Sequence, residues 1–169
     1  DAAGQPVGPA RLWCDGRNEA EGHELTEQLA AKCPKRMTAA RWLWTIRNRP
    51  EQAEETAHLT TPAGWIAFRL TGEWNLGIGD ASGMFPIDQA TLNYDGSMLD
   101  KFDTTARQAA RKTLPGTPLP RLAELLPTVR WAGQDGGTLN AHGAKLLGLP
   151  QGIVVAPAEG DQPAALAGS

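Results

Sequence analysis

The sequence predicts an α/β domain that carries a helical insertion. Two short apolar runs, Ala10–Trp13 and Ile153–Ala156, have the composition of strands and lie near the two ends of the chain. Between them, several segments combine helical spacing of apolar residues with helix start and stop signals. A strand, a block of helices, a Gly-rich stretch, and then a strand followed by a helix start form the order typical of such a domain.

The bulk composition limits the classes of partner. The chain has 169 residues, enough for one domain with a real core, and it carries a net charge of −3. Nucleic acids and anionic membranes are disfavoured as partners, because they require clustered positive charge. No stretch approaches the roughly 20 apolar residues of a membrane helix. The opening DAAGQPVGPA lacks signal-peptide organisation and begins like a turn in mid-fold, so we expect a fragment.

The cysteines and histidines do not form a recognisable metal or disulfide pattern. Cys14 and Cys33 are too few for a disulfide framework, which favours a cytoplasmic, reducing location. His23, His58 and His142 are distant in sequence from one another and from the cysteines. We therefore predict no metal held by the protein's own side chains.

Three helices are predicted in the first third of the chain. Asn18 is placed as the cap of a helix through about Lys32, and Thr38 as the cap of a second helix. Pro50 is placed as the first residue of a short third helix, PEQAEETAHL. The apolar pairs that share a helix face are Leu25 with Leu29 and Trp42 with Ile46.

The later elements are predicted from similar signals. Thr61-Pro62 and Gly72 frame the helix PAGWIAFRLT, and Asn140 caps a helix that ends at Leu147. The other predictions are strand, turn and loop at Glu73–Ile87, short helices at Asp95–Phe102 and Thr105–Lys112, an irregular connection at Leu114–Pro127, and a final helix start after Ile153–Ala156.

Asp161 is the strongest candidate for a reactive group. It follows the apolar run Ile153–Ala156 and stands where a helix begins, so free backbone N–H groups favour its ionised form. A carboxylate in such a place can accept a proton from a hydroxyl group during group transfer. The alternative is that Asp161 is only a helix cap.

The run LWCDGR provides a second candidate. If Ala10–Trp13 and Ile153–Ala156 are parallel strands of one sheet, Trp13 lies on the same edge as Asp161. An indole can pack on sugar C–H groups, and Asp15 and Arg17 can bind hydroxyls. The alternative is a core tryptophan beside a surface ion pair.

The run GIGDASG at 77–83 resembles a phosphate loop only superficially. Its glycine spacing fits neither G-x-G-x-x-G nor the P-loop, and no lysine follows. We expect Asp80 and Ser82 to hold a turn through local hydrogen bonds instead.

Taken in order, six runs resemble the N-terminal domain of the FGGY family of carbohydrate kinases, which includes xylulokinase, gluconate kinase and glycerol kinase. The runs are LWCDGRNEAE, TAARWLWTIRNRPE, TPAGWIAFRLTGEW, GDASGMFPID, LPTVRWAGQDGGTL and GLPQGIVVAPAEGDQPAALAGS. The resemblance implies a ribonuclease H-like fold of the actin-like ATPase and sugar kinase type, incomplete at both ends. It implies that residues 1–169 are part of the sugar-binding domain and that the ATP-binding domain is absent.

The resemblance also implies roles for individual residues. Asp161 matches the Asp of the family's G-D-Q or G-D-N motif, the general base toward the sugar hydroxyl, and Gln162 matches the neighbour that binds substrate. Trp13 matches the tryptophan of the L-W-x-D-x-R run, which lines the sugar pocket in some members. Asp15 and Arg17 match the polar positions of that run.

The implied reaction is ATP-dependent phosphorylation of a sugar or polyol, with a pentulose favoured because W-x-D-G-R is similar to xylulokinase-like members. ATP with Mg²⁺ is expected to bind mainly to segments outside this chain, so the chain alone is expected to be inactive. A second copy of the full-length protein is a further candidate partner. The alternatives are a non-catalytic sugar-binding or regulatory module, and an actin-like or acyl-transfer relative that shares only the fold.

Two residues near Asp161 depart from the family pattern. Pro157 and Glu159 occupy positions where the family often has small residues. Glu159 is expected to raise the proton affinity of Asp161 or to alter sugar choice if both side chains face the cleft. If Glu159 points away, it is expected to change little.

Overall fold

Helices account for most of the regular structure. The computed structural model describes residues 1–167. The helices are α1 (Glu19–Leu29), α2 (Thr38–Asn48), α3 (Pro50–Glu55), α4 (Pro62–Thr71), α5 (Ile78–Ala81), α6 (Gly96–Thr113), α7 (Leu122–Leu125), α8 (Ala141–Leu147) and α9 (Asp161–Ala167). The strands are β1 (Asn75–Gly77), β2 (Ile87–Asp88), β3 (Asn93–Tyr94) and β4 (Thr128–Arg130). Strand β1 pairs with β4, and β2 pairs with β3.

The chain forms two compact units. The first comprises Asp1–Leu59, Gly83–Asp88 and Tyr94–Leu126. The second comprises Thr60–Ser82, Gln89–Asn93 and the described residues from Pro127 onward.

The first unit is built on α1, α2 and α6, which pack against one another. The predicted apolar faces are confirmed, because all four of their residues are buried: Leu25, Leu29, Trp42 and Ile46. Phe85 and Phe102 meet edge to face, with ring centroids 6.1 Å apart. Burial of these side chains provides the main stabilisation of the unit.

The second unit has a short parallel ladder at its centre. Leu76 of β1 lies opposite Val129 of β4, and both are buried. Helix α4 packs against β1 and against α8. Phe68 stacks on Trp74 with ring centroids 3.9 Å apart.

The predicted ends of α4 and α8 are confirmed. The Thr61 hydroxyl accepts a hydrogen bond from the Gly64 N–H, and Gly72 ends α4 in a left-handed conformation. Asn140 accepts from the Gly143 N–H in the same way, and α8 ends at Leu147. Both helices are therefore bounded by local signals.

Several other boundaries differ from the sequence predictions. Helix α1 begins after Asn18, but the Asn18 side chain donates to the Lys35 carbonyl instead of capping the helix. Thr38 is the first residue of α2, not its cap. The short helix at Pro50 ends at Glu55. Strand β4 and helix α7, the latter within Leu114–Pro127, are also absent from the sequence predictions.

The two short helices predicted at Asp95–Phe102 and Thr105–Lys112 are one continuous helix, α6. Asp95 caps it by accepting from the Met98 N–H. Asp103, at the predicted break, is buried and accepts from the Leu122 N–H at 2.9 Å. A tertiary contact thus favours helix at a residue of low helix propensity.

The predicted strand at Ala10–Trp13 is wrong. Its residues have no strand pairing, and Trp13 lies in a turn. The Leu12 carbonyl accepts from the Asp15 N–H and from Arg41, and Arg41 also donates to the Arg11 carbonyl. Because these carbonyls are occupied by a turn and by a side chain, no ladder forms there. The proposed sheet that joined this run to Ile153–Ala156 is therefore wrong as well.

The predicted buried strand at Ile153–Ala156 is reduced to an extended, exposed segment. Val154 forms one isolated antiparallel bridge with Thr138 and is 67% exposed. Four backbone hydrogen bonds link residues 152–155 to residues 136–139, but two features keep this contact from extending into a regular ladder. Gly137 has a positive φ of 113°, which bends the partner segment, and Pro157 has no N–H to donate.

Candidate functional site

Asp161 is the first residue of α9, as predicted. The Gly160 carbonyl accepts from the Ala164 N–H at 3.1 Å, which fixes where the helix begins. The Asp161 carboxylate accepts from the Gln162 N–H at 2.8 Å, and both residues are exposed. The geometry suits a carboxylate that a small molecule can reach. Because the Gly160 carbonyl accepts the first helical bond, Gly160 holds the cap position, and Asp161 lies in the first turn of α9, where a negative charge is favourable.

Glu159 lies two residues before Asp161 and is half-buried. Its carboxylate accepts from the Asp80 N–H at 2.9 Å and from the Gly79 N–H at 3.4 Å. The adjacent Ala158 carbonyl accepts from the Gly77 N–H at 2.7 Å. The segment before α9 is therefore attached to the carboxyl end of β1 by side chain and backbone together.

The short helix α5, a single turn that follows β1 and is called here the turn after β1, has two further hydrogen bonds. The Ser82 hydroxyl donates to the Gly79 carbonyl at 2.6 Å, which confirms the local bond expected of Ser82. Asp80 differs from expectation, because its carboxylate accepts from the Thr61 hydroxyl at 2.6 Å, at the start of α4. This turn is consequently tied to a helix 19 residues away.

Trp13 is 78% exposed, so the interpretation of this residue as a core tryptophan is wrong. Asp15 and Arg17 form an ion pair, with 3.0 Å between Arg17 Nε and the Asp15 carboxylate. The hydrogen bond from the Arg17 N–H, assisted by the guanidinium, lowers the pKa of Asp15. The predicted alternative of a surface ion pair between Asp15 and Arg17 is therefore observed.

Helix α2 holds the Trp13 turn through arginine side chains. Arg41 donates to the Arg11 carbonyl at 3.1 Å and to the Leu12 carbonyl at 2.8 Å. Arg11 in turn donates to the Thr45 hydroxyl at 2.9 Å, and its guanidinium lies 4.3 Å from the centre of the Trp44 ring. Partial burial, and then the charge of Arg17, lower the pKa of Arg11.

The residues singled out from the sequence fall into two groups. Trp13, Asp15 and Arg17 belong to the first unit, whereas Asp161 and Gln162 belong to the second. Arg41 and Thr61 support these groups, a role that is not predicted from the sequence. Their partners are main-chain atoms and a carboxylate remote in sequence, and no local pattern reports such contacts.

Within residues 1–167, no three His, Cys, Asp or Glu side chains gather closely enough to hold a metal ion. His142 lies 3.1 Å from an Arg69 nitrogen. Both cysteines are free: Cys14 is exposed, and Cys33 is buried. None of the helices in this part of the chain is long and apolar enough to cross a membrane.

Comparison with solved structures identifies the fold. The crystal structure of a "xyloylose kinase" from Brucella ovis matches with a TM-score of 0.75 and 21% identity, over 97% of this chain and 32% of that one. The architecture is thus part of the ribonuclease H-like fold of actin-like ATPases and sugar kinases, as the sequence predicted.

Sequence comparison identifies the family. Residues 1–168 match the FGGY family of carbohydrate kinases, N-terminal domain. A xylulose kinase of Streptomyces coelicolor is 31% identical over 99% of this chain and 33% of its own length. A glycerol kinase of Haloferax volcanii is 31% identical over 98% of this chain and 33% of its own length. The chain belongs to the FGGY family, and it spans about a third of the length of these relatives.

Proposed function

We propose that the full-length protein is an ATP-dependent carbohydrate kinase and that this chain supplies part of its sugar-binding domain. The observation that carries the proposal is the family match over residues 1–168, which includes the Gly-Asp-Gln run at the start of α9. The ATP-binding domain is expected on chain outside residues 1–169, so this chain alone should not turn over ATP.

Asp161 is proposed as the general base. Its exposed carboxylate accepts the proton of the sugar hydroxyl as the hydroxyl oxygen forms a bond to the γ-phosphorus. The bond between that phosphorus and the β,γ-bridging oxygen breaks, ADP leaves, and a sugar phosphate is formed. A well-placed base contributes roughly 10²–10⁴ in rate.

The sugar-binding roles are proposed for Trp13, Asp15, Arg17 and Gln162. The exposed indole of Trp13 offers a flat apolar surface for sugar C–H groups. Asp15 and Arg17 supply an acceptor and donors for hydroxyls from one ion pair, so their head groups are already ordered. Gln162, next to the base, supplies an amide that can both donate and accept.

ATP is expected to arrive with Mg²⁺, which neutralises charge on the transferred phosphoryl group. Residues 1–167 contain no cluster of three or more candidate ligands that would form an all-protein cage, and Mg²⁺ that arrives with a nucleotide would be held mainly by the phosphates and water. We therefore assign no step of the reaction to a metal held by this chain.

A pentulose similar to xylulose is the favoured substrate, since xylulose kinases are among the matched relatives. A polyol such as glycerol is the second candidate, because a glycerol kinase matches at 31% identity. We place the enzyme in the cytoplasm, in line with its two free cysteines. A second copy of the full-length protein is proposed as a candidate partner.

The test is ADP release by the full-length protein with a panel of xylulose, ribulose, gluconate and glycerol at equal concentrations. We expect the highest kcat/KM with xylulose. A preference for glycerol would replace the pentulose assignment while leaving the kinase class intact. Sugar binding by calorimetry without ADP release for any substrate would instead support the non-catalytic module.

A further inference from the structure

We propose that Glu159 is a positioning residue that holds the segment Ala158–Gly160, and through it Asp161, at the end of β1. The inference deepens the proposed function and rests on it, because Asp161 is taken as the base. Precise placement matters for such a group, since a 1 Å displacement can cost about 10² in rate.

The attachment has two parts that act on neighbouring residues. The Glu159 carboxylate accepts from the Asp80 and Gly79 N–H groups, at 2.9 and 3.4 Å. The Ala158 carbonyl accepts from the Gly77 N–H at 2.7 Å. Hydrogen bonds to a carboxylate are about twice as strong as bonds between neutral groups. Three bonds thus restrain the segment that leads directly into the first residue of α9.

The turn that receives Glu159 is itself restrained. The Asp80 carboxylate accepts from the Thr61 hydroxyl, and that hydroxyl also caps α4 by accepting from the Gly64 N–H. Gly77 is a buried residue of β1, which pairs with β4. A support built on a helix start and a paired strand is what a precisely placed group requires.

Gly77 lies directly against the Glu159 carboxylate and offers a second way to perturb this contact. Its backbone is extended, with φ −63° and ψ 147°, which any residue can adopt. A Cβ added there would collide with the Glu159 carboxylate group. A side chain at position 77 would therefore displace the Glu159 carboxylate, although the backbone conformation itself would accept one.

The position of the Glu159 oxygens separates this role from an electrostatic one. Both oxygens are turned toward backbone N–H groups of the turn after β1. A residue that tuned the proton affinity of Asp161 would shift the acidic limb of the pH–rate profile. A residue that only positions Asp161 lowers the plateau of that profile and leaves the limb in place.

The experiment measures kcat, sugar KM, the pH–rate profile and the thermal melt of the full-length protein. We expect Glu159→Ala to lower kcat about 10-fold, with sugar KM changed less than about 2-fold and the acidic limb unmoved. Glu159→Gln keeps one acceptor oxygen at the same reach and should restore part of the loss. Ser82→Ala removes a bond within the same turn without touching Ala158–Gly160, and serves as the matched control with near wild-type kcat.

A double-mutant cycle locates the effect. Gly77→Ala should displace the carboxylate and reproduce the loss caused by Glu159→Ala. The double variant should be no worse than Glu159→Ala alone, because the collision is gone once the carboxylate is removed. The double variant also keeps the proposal testable if Gly77→Ala alone fails to fold.

The proposal would be overturned if folded Glu159→Ala protein had a kcat within about 2-fold of wild type, or if its acidic limb shifted while the plateau stayed unchanged. It would also be overturned if the effects of Gly77→Ala and Glu159→Ala on kcat were additive, or if Ser82→Ala lowered kcat equally. Asp161→Asn is measured alongside. Near wild-type turnover in that variant would remove the base assignment itself, whatever Glu159→Ala does, so the two failures are distinguishable.

Discussion

The turn at Arg11–Trp13 and the segment Ala158–Gly160 both lack regular secondary structure, yet each is attached to a regular element. In the first unit, Arg41 on α2 donates to main-chain carbonyls of the turn. In the second unit, Glu159 accepts from main-chain N–H groups after β1. The first attachment uses a cation for carbonyl groups, and the second uses a carboxylate for amide groups.

The two attachments differ in which part of the site they hold. Arg41 reaches from a helix to a turn whose Trp13 side chain is 78% exposed. Glu159 belongs to the held segment itself and lies two residues from Asp161. Loss of Arg41 should therefore affect mainly how the sugar is held. Loss of Glu159 should affect mainly the chemical step.

The largest effect on sugar affinity is expected from Trp13→Ala. Removal of the exposed indole should raise the sugar KM by roughly 10-fold, equivalent to about 1.4 kcal/mol, while the melt stays near wild type. Trp42→Ala is the matched control. Trp42 is buried in the core, so that variant should lose about 3–5 kcal/mol of stability. An unchanged KM for a folded Trp13→Ala protein would contradict the proposed role of the turn.

A smaller effect is expected from Arg41→Ala, since Trp13 itself remains. Two charge-assisted bonds to the turn are lost, and the sugar KM should rise several-fold with kcat nearly unchanged. Arg41→Lys should recover little, because one ammonium does not reproduce the guanidinium fork. Arg36→Ala, an exposed arginine just before α2, is the control. A fall in kcat at constant KM would erase the distinction between the two attachments.

The smallest expected effect is a difference in cysteine labelling, which tests the exposure of the Trp13 turn and involves no loss of activity. Cys14 follows Trp13 and is exposed, whereas burial raises the pKa of the Cys33 thiol. Iodoacetamide should modify Cys14 in the native protein and Cys33 only after denaturation. Peptide mapping by mass spectrometry measures both. Native labelling of Cys33 before Cys14 would argue against the packing described for the first unit.

Elements with local causes could be predicted from the sequence. Thr61 and Asn140 accept hydrogen bonds from residues three positions later, so their capping roles are visible in a short window. The same holds for the apolar spacing of α1 and α2. Asp161 was placed correctly because the Gly-Asp step and the helix start are adjacent in sequence.

Elements with remote causes could not be predicted. The sequence predicts strand pairing for the backbone groups of Ala10–Trp13. Arg41, on a helix 29 and 30 residues further along the chain, instead donates to the Leu12 and Arg11 carbonyls. Asp103 stays helical because it binds Leu122, 19 residues further along. The partners of Glu159 lie 79 and 80 residues earlier, so no local pattern could indicate its position.

The most direct test of the central claim is Asp161→Asn in the full-length protein, followed by steady-state kinetics and a thermal melt. Asparagine keeps the size of the side chain and, like aspartate, is well tolerated at a helix start, but it cannot accept the proton. We expect kcat with ATP and the preferred sugar to fall by roughly 10²-fold or more, with sugar KM and the melt close to wild type. A folded variant that phosphorylates sugar at a near wild-type rate would contradict the role of Asp161 as the base and leave it a structural residue in the first turn of α9.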